Sequence, residues 1–340
     1  MDTVTTIRDV ARLAGVSTST VSLTFGNEQR VSKETAKKVR SAAEELGYWP
    51  NPHAQGLRRG RSRMIAVVVG DVGNPYFARI LKSIGRLADT AGCQVMIADS
   101  DFDVERELSI VDQLDAQRVG GLILTPSATN ADYAARLQRV EAPIVLMDQN
   151  IPGGMFDFVG YDNRLGASML TEHLIRLGHT RIAHIAGTEG LWNTTERHEG
   201  YREALVRAGI ELDPSLVADG AYQQEQGYQQ TMRQLMRSDR ATAILASNNL
   251  MGLGALKAIQ ELKFRCPDDI SLAIVDSVPW SSLIQPTLTV LKQDAETVAR
   301  LAIERLFDRL VHADGPPIEP REASLMPPLL LGDSTGPAPA

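Results

Sequence analysis

Carboxylate, amide, guanidinium and aromatic side chains recur in this chain just where apolar runs end. Asp71 and the run Asn74-Pro75-Tyr76-Phe77 follow the apolar segment 65–69, Thr125 follows 122–124, and Asp148 follows 144–147. Asn248 and Asn249 come after 243–246, and Asp276, with Trp280 beyond it, comes after 272–275. Arg197 is expected to open a helix after a loop over 187–193 that carries Trp192, and Tyr222 follows a short segment at 217–218. Such a set suits a polyhydroxylated or planar polar ligand, because charged and amide groups make paired hydrogen bonds while rings cover apolar faces. Any one of these residues could equally cap a helix or satisfy a loop. The whole set at strand ends is what points to a ligand.

Reactions are harder to find. The sequence has no G-x-S-x-G elbow, no H-E-x-x-H and no G-x-x-x-x-G-K-[ST] phosphate loop. Gly120-Gly121 precedes a strand rather than following one, so it is no dinucleotide fingerprint. His173 and His179 straddle a helix end and His184 lies in an apolar run, which gives no compact ligand set. No catalytic residue, metal or cofactor is expected.

The elements that position these residues alternate. Apolar runs at 65–69, 95–98, 122–124, 144–147, 182–185, 243–246 and 272–275 read as buried strands. Helical segments fall near 76–90, 104–117, 130–139, 163–177, 196–208, 224–237 and 250–262. Alternation of this kind builds parallel sheets covered by helices, and ligands then sit beyond the carboxyl ends of the strands. Its length exceeds one ordinary sheet, so two doubly wound lobes are expected, changing over near 160–163.

The first 50 residues have a different rhythm. Thr6 and Asp9 can form a capping box, Ile7, Val10, Ala11, Leu13 and Ala14 give one apolar face, and Gly15 suits a left-handed turn. Ser17 can cap a second helix over 18–25 with Val21 and Phe25 inward. Ser32 can cap a third, whose stripe is Ala36, Val39, Ala42, Ala43 and Leu46 and whose end is Gly47. Asn51-Pro52 then starts a short helix, weakened by Gly56, that should fray unless something supports it.

Charge divides the chain in the same place. Residues 1–63 hold 11 Lys and Arg against 6 Asp and Glu, a net of +5, within a 340-residue chain of net −7. A basic head on an acidic body suggests an anionic partner for the head alone. Nothing near residue 1 resembles a signal peptide, and no apolar run approaches the roughly 20 residues that span a bilayer. Cys93 and Cys266 read as separate buried thiols, which suits a reducing cytoplasm.

These features combine into a resemblance. Asp9-Val10-Ala11-Arg12-Leu13-Ala14-Gly15-Val16-Ser17, Thr20-Val21-Ser22, Val31-Ser32-Lys33-Glu34-Thr35 and Leu46-Gly47-Tyr48-Trp49-Pro50-Asn51 resemble the lactose-repressor (LacI-type) family of bacterial transcription regulators. Asn74-Pro75-Tyr76-Phe77, Leu177-Gly178-His179, Pro267-Asp268-Asp269-Ile270-Ser271 and Pro286-Thr287-Leu288-Thr289 extend the likeness over residues 5–312. It implies an α-helical helix-turn-helix DNA-binding head over 1–50 and a hinge over 51–63. The α/β core of two doubly wound parallel-sheet lobes is similar to periplasmic binding proteins. One lobe would take 64–161 with about 292–322, the other 162–291 with about 323–331, leaving 332–340 as a frayed tail.

The resemblance further implies a cytoplasmic, nucleoid-associated homodimer that binds a near-palindromic operator, with no membrane partner. Its DNA contacts would come from Thr6, Arg8, Ser17, Thr18, Ser19, Thr20, Ser22, Leu23 and Lys33, and in the hinge from Asn51, His53, Ala54, Leu57 and Arg58. Thr18 and Ser19 match base-reading positions, and Leu57 matches a leucine wedged into the minor groove. Tyr76, Arg197, Asn248 and Asp276 match effector-binding positions, to which the strand-end reading adds Phe77, Thr125, Asp148, Trp192, Tyr222, Asn249 and Trp280. The implied function is repression of a carbohydrate-utilisation operon by a protein whose operator affinity a small effector changes. A non-sugar metabolite as effector, or a solute-binding protein, are the alternatives. Leu23 departs from the pattern where an Arg is usual, Gly26 where Asn is, Gln55 where Arg is common, Asn249 where Asp is, and Gly332 where Arg is.

Overall fold

The computed structural model describes residues 7–26, 31–46, 63–312 and 318–339. The head holds α1 (Ile7–Ala14), α2 (Thr18–Gly26) and α3 (Lys33–Glu45). Gly15 adopts φ +66°, and the Val16 amide bonds the Ala11 carbonyl at 3.0 Å, which stops α1 in a left-handed turn. Ser17 Oγ accepts the Thr20 amide at 3.0 Å and starts α2; Ser32 Oγ accepts the Thr35 amide at 3.2 Å and starts α3. Val10, Val21 and Val39 are fully buried where the three helices meet, with Ala11, Ala42 and Ala43 around them.

Beyond residue 63 stand two sheets of six strands. The first joins β1 (Met64–Val69), β2 (Gln94–Asp99), β3 (Gly121–Leu124), β4 (Ile144–Met147), β5 (Asp157–Tyr161) and β11 (Glu322–Leu325) in the order β11-β5-β4-β3-β1-β2. The second joins β6 (Ile182–Ala186), β7 (Val217–Asp219), β8 (Ala243–Ala246), β9 (Ser271–Val275), β10 (Thr289–Leu291) and β12 (Leu329–Leu330) in the order β12-β10-β9-β8-β6-β7. Strand for strand the two orders are the same. All pairings are parallel except β10 with β12.

Helices cover both faces of each sheet, which is why β1, β3, β4 and β8 are continuous apolar runs, and β6 and β9 nearly so apart from His184 and Ser271. The first sheet is flanked by α4 (Pro75–Thr90), α5 (Val104–Ala116), α6 (Ala131–Leu137) and α11 (Ala295–Val311). The second is flanked by α7 (Asn163–Arg176), α8 (Trp192–Arg207), α9 (Gln224–Leu235) and α10 (Asn249–Glu261). The chain passes between the lobes after β5, after β10 and after β11.

Several expectations differ from the structure. β11 belongs to the first sheet, because residues 322–325 continue in register beside 158–161. The tail over 332–339 is not frayed: the Leu272 amide bonds the Ser334 carbonyl at 2.7 Å, His179 Nε2 meets the Gly336 carbonyl at 3.1 Å, and the Ala338 amide bonds the Leu177 carbonyl at 2.8 Å. Ser334 is fully buried. The helix drawn over 196–208 begins at Trp192, placing Arg197 in its second turn rather than at its opening. Leu191 precedes it without a side-chain cap, so no local signal marked the start.

Candidate functional site

The cleft lies between the lobes and is built by the same device twice. In the first lobe Gly70 ends β1, and a Cβ there would overlap the ring of Phe102, which arrives from the loop after β2. In the second lobe Gly187 ends β6, and a Cβ there would overlap the ring of Tyr222, which arrives from the loop after β7. Each glycine leaves room for a ring to lie over a strand end, and the two rings meet with centroids 6.0 Å apart. Phe102 and Tyr222 have φ of 53° and 56°, and the carboxylates Asp148 and Asp276, each next after its strand, have φ of 66° and 60°. Four non-glycine residues in the left-handed region around one cleft is stored backbone strain of the kind that binding sites keep.

Around these rings the cleft is narrow, with about 40 Å³ of free room behind an open mouth. Asn74, at the N-cap of α4, accepts the Tyr76 amide at 2.9 Å and turns Tyr76 and Phe77 inward. Asn248 caps α10 through the Met251 amide at 2.8 Å and donates to the Tyr222 carbonyl at 3.0 Å. Helices α4, α8 and α10 all start here, so three positive helix ends face the space that Asp148 and Asp276 share.

Arg197 is buried. Its Nε donates to Asn163 Oδ1 at 2.8 Å and its Nη1 to the Ser247 carbonyl at 2.6 Å. Burial pushes the Asp148 carboxyl up from its ordinary range, against the opposing pull of Arg197. Burial likewise raises Asp276, with the Arg79 guanidinium opposing it most. The Tyr76 hydroxyl is buried and meets no hydrogen-bond partner among the described residues.

Thr129 Oγ1 of the first lobe donates to the Gly190 carbonyl of the second at 3.4 Å, and two further polar bridges between the lobes run beside the cleft. On one, Asn193 of α8 donates from Nδ2 to Asp148 Oδ2 at 3.0 Å and from its amide to Gln149 Oε1 at 2.9 Å. On the other, Asn249 Nδ2 donates to Asn74 Oδ1 at 3.0 Å and to Asp276 Oδ2 at 3.3 Å, while Arg79 Nη2 reaches Asp276 Oδ2 at 3.0 Å.

Of the residues read from the strand ends, Asp71, Asn74, Tyr76, Phe77, Asp148, Arg197, Tyr222, Asn248, Asn249 and Asp276 line this cleft together. Thr125, Trp192 and Trp280 do not. Thr125 is fully buried at the end of β3, its amide bonded to the Val68 carbonyl. Trp192 opens α8 outside the lining, because Asn193 and Arg197, four apart, form the helix face turned to the cleft. Trp280 is 48% exposed ahead of a single turn at Ser281–Leu283. Phe102, Gln149, Asn193 and Gln293 line the cleft without having been expected. Phe102 had a signal, since it follows β2 as Tyr222 follows β7.

In the head, Thr18, Ser19, Leu23 and Lys33 are exposed and Thr20 is half-buried. Ser17 Oγ and Thr20 Oγ1 lie 2.9 Å apart, so these two hydroxyls are engaged in starting α2. Thr6, Asn51, His53, Ala54, Leu57 and Arg58, together with the side chains of Arg8 and Ser22, lie outside the described residues.

A helix-turn-helix head followed by a two-lobed ligand cleft is the build of a ligand-responsive, DNA-binding regulator of transcription. The lacI family of bacterial regulatory proteins matches residues 6–51, and a periplasmic binding protein-like domain matches 171–335. The chain is 34% identical over 292 residues to the HTH-type transcriptional regulator DegA of Bacillus subtilis, covering 85% of this chain and 86% of that one. It is 32% identical over 309 residues to the HTH-type transcriptional repressor CytR of Escherichia coli, covering 91% of each. Among solved structures, the lac repressor dimer bound to operator and the anti-inducer ONPF superposes with a TM-score of 0.72 at 30% identity, over 98% of this chain and 99% of that one. A complex of the transcriptional regulator CelR with cellobiose gives a TM-score of 0.73 at 29% identity, over 97% and 99%. The chain belongs to the LacI family of transcriptional regulators. No helix of the described residues is long and apolar enough to cross a membrane, and no group of three or more His, Cys, Asp or Glu among them could hold a metal ion.

Proposed function

We propose that this regulator represses a carbohydrate-utilisation operon and that a small, polyhydroxylated effector in the interlobe cleft changes its affinity for the operator. The observation that carries this reading is the convergence of Asp148, Arg197 and Asp276, drawn from both lobes, around the rings of Tyr76, Phe77, Phe102 and Tyr222. Carboxylates and a guanidinium fix vicinal hydroxyls, and the rings cover the C–H faces of a sugar. The cellobiose and operator complexes of the two structural relatives support the ligand class and the partner.

The regulator acts as a homodimer, with one head on each half of a near-palindromic site. The lac repressor dimer supports this, as do Val72 and Ile97, which are 42% and 50% exposed beside the outer edge of the first sheet. Thr18, Ser19 and Leu23 are the base-reading residues of α2, Lys33 meets phosphate, and Leu57 enters the minor groove at the dyad. An effector that alters how the lobes meet alters the spacing of the two heads, at a coupling of about 1–3 kcal/mol.

A thermal-shift panel of neutral sugars, sugar acids, sugar phosphates and nucleosides tests the cleft, since a ligand specific to the folded state raises Tm by mass action. A neutral sugar that raises Tm and changes operator affinity in a salt-controlled titration is the expected result. A response confined to nucleosides or to anionic compounds overturns the carbohydrate assignment.

A further inference from the structure

Arg79 lies one turn into α4, away from any strand end, and nothing in the local sequence singles it out. From the first lobe it reaches Asp276 of the second, with Nη2 3.0 Å from Oδ2 and 3.3 Å from Oδ1. Asp276 is 4% exposed and held at φ +60°, so its carboxylate can turn neither to water nor to an easier backbone. Asn249 Nδ2 touches only Oδ2, at 3.3 Å, and it also serves Asn74. Also facing this carboxylate are the phenols of Tyr76 and Tyr161 and the amides of Ser277 and Gln293. Arg79 is therefore the one cation paired with Asp276 among the described residues.

We propose that Arg79 is the positioning residue of the cleft: it crosses between the lobes to fix the Asp276 carboxylate, and so makes closure of the two lobes depend on that carboxylate carrying its charge. The proposal rests on the reading of the cleft as the effector site, but its test uses no effector. A carboxylate buried between two lobes is costly without a partner, whereas the same group protonated is cheap to bury. Burial already raises Asp276 above the usual carboxylate range, and Arg79 is the largest influence holding it down. Removing the guanidinium raises it further. A carboxyl raised in the fold contributes stability at low pH and loses it as pH climbs through the folded value, so the deficit of an Arg79 variant must grow with pH.

The full-length chain carrying Arg79→Gln, Arg79→Lys, Asp276→Asn or the Arg79→Gln/Asp276→Asn pair is melted across about pH 5 to about pH 8. Arg79→Gln is expected to lower Tm relative to the parent, by at least about twice as much at the upper end of that range as at the lower. Asp276→Asn in the same protein removes the pH dependence, and Arg79→Lys restores most of the loss. A deficit that is the same at every pH, or that persists unchanged in the Asp276→Asn background, overturns the proposal, as does the absence of any deficit. An effector panel without hits would remove the sugar reading and leave this outcome untouched. A flat pH profile would remove Arg79 and leave the sugar reading standing.

Discussion

Asn193 Nδ2 lies 3.0 Å from Asp148 Oδ2, so the first turn of α8 in one lobe holds the carboxylate that ends β4 in the other. Both side chains are buried. The bond is a strut between bodies that three stretches of chain also join.

Asn193→Ala removes the strut and leaves Asp148 with one fewer donor. Truncating one partner of a buried hydrogen bond costs about 1–3 kcal/mol. The expected outcome is a drop of that size in urea unfolding, together with a smaller Tm shift from the sugar that stabilises the parent. An unchanged shift would separate the strut from ligand binding.

Gly187→Ala places a methyl group where the Tyr222 ring lies. Overpacking of this kind costs about 1–3 kcal/mol, and relief requires the ring to leave the cleft wall. Sugar affinity should fall while operator affinity in the absence of sugar stays near that of the parent. If sugar affinity is retained, Tyr222 is not part of the wall.

His184 sits fully buried between Ser247 and the rings of Tyr201 and His198, with Nε2 2.7 Å from Ser247 Oγ. Burial lowers it from 6.5 to about 3, so it stays neutral in the fold across a range where the unfolded chain takes up a proton. Stability is then complete above the unfolded value and declines as pH falls from about 6.5 toward about 3, by up to ~1.4 kcal/mol per pH unit. Burial also holds His173 and His179 below the ordinary value, and both add in the same direction. His184→Gln keeps a hydrogen-bond partner for Ser247 and should flatten the acid limb of a stability–pH curve; an equally steep limb would assign the loss to other groups.

Leu23 is 40% exposed on α2, at a position where the family usually carries Arg. An aliphatic side chain favours a thymine methyl, while Arg pairs bidentately with guanine for about 1–3 kcal/mol of discrimination. Leu23→Arg should move selected binding sites toward guanine at one position of each half-site. Selection from randomised duplexes reads this directly, and an identical consensus would place Leu23 away from the bases.

The strands are legible in the sequence where they are apolar runs and hidden where they are not. β5 begins with Asp157 and contains Gly160, which masks it, although all five of its residues are buried. β10 and β12 span three and two residues, too short for any pattern to show. The cleft was legible where chemistry follows a strand end, as at Asp148 and Asp276. It was not legible at Arg79, one turn into a helix, because an ion pair across 197 residues of chain leaves no local trace. Trp192 and Trp280 misled for the opposite reason: large aromatic residues near a strand end look like walls until a helix face or a surface turn fixes their direction.

The chain's end is stitched into its middle. The Ser334 carbonyl and hydroxyl bond the backbone of Leu272, and α11 with β11 completes the first sheet from residues beyond 294. During synthesis, then, neither sheet is complete until residues 322–330 have been made. The head, whose described apolar core lies within residues 10–46, is made from an early stretch. A nascent chain would hold a folded head long before it holds the sensor that governs it.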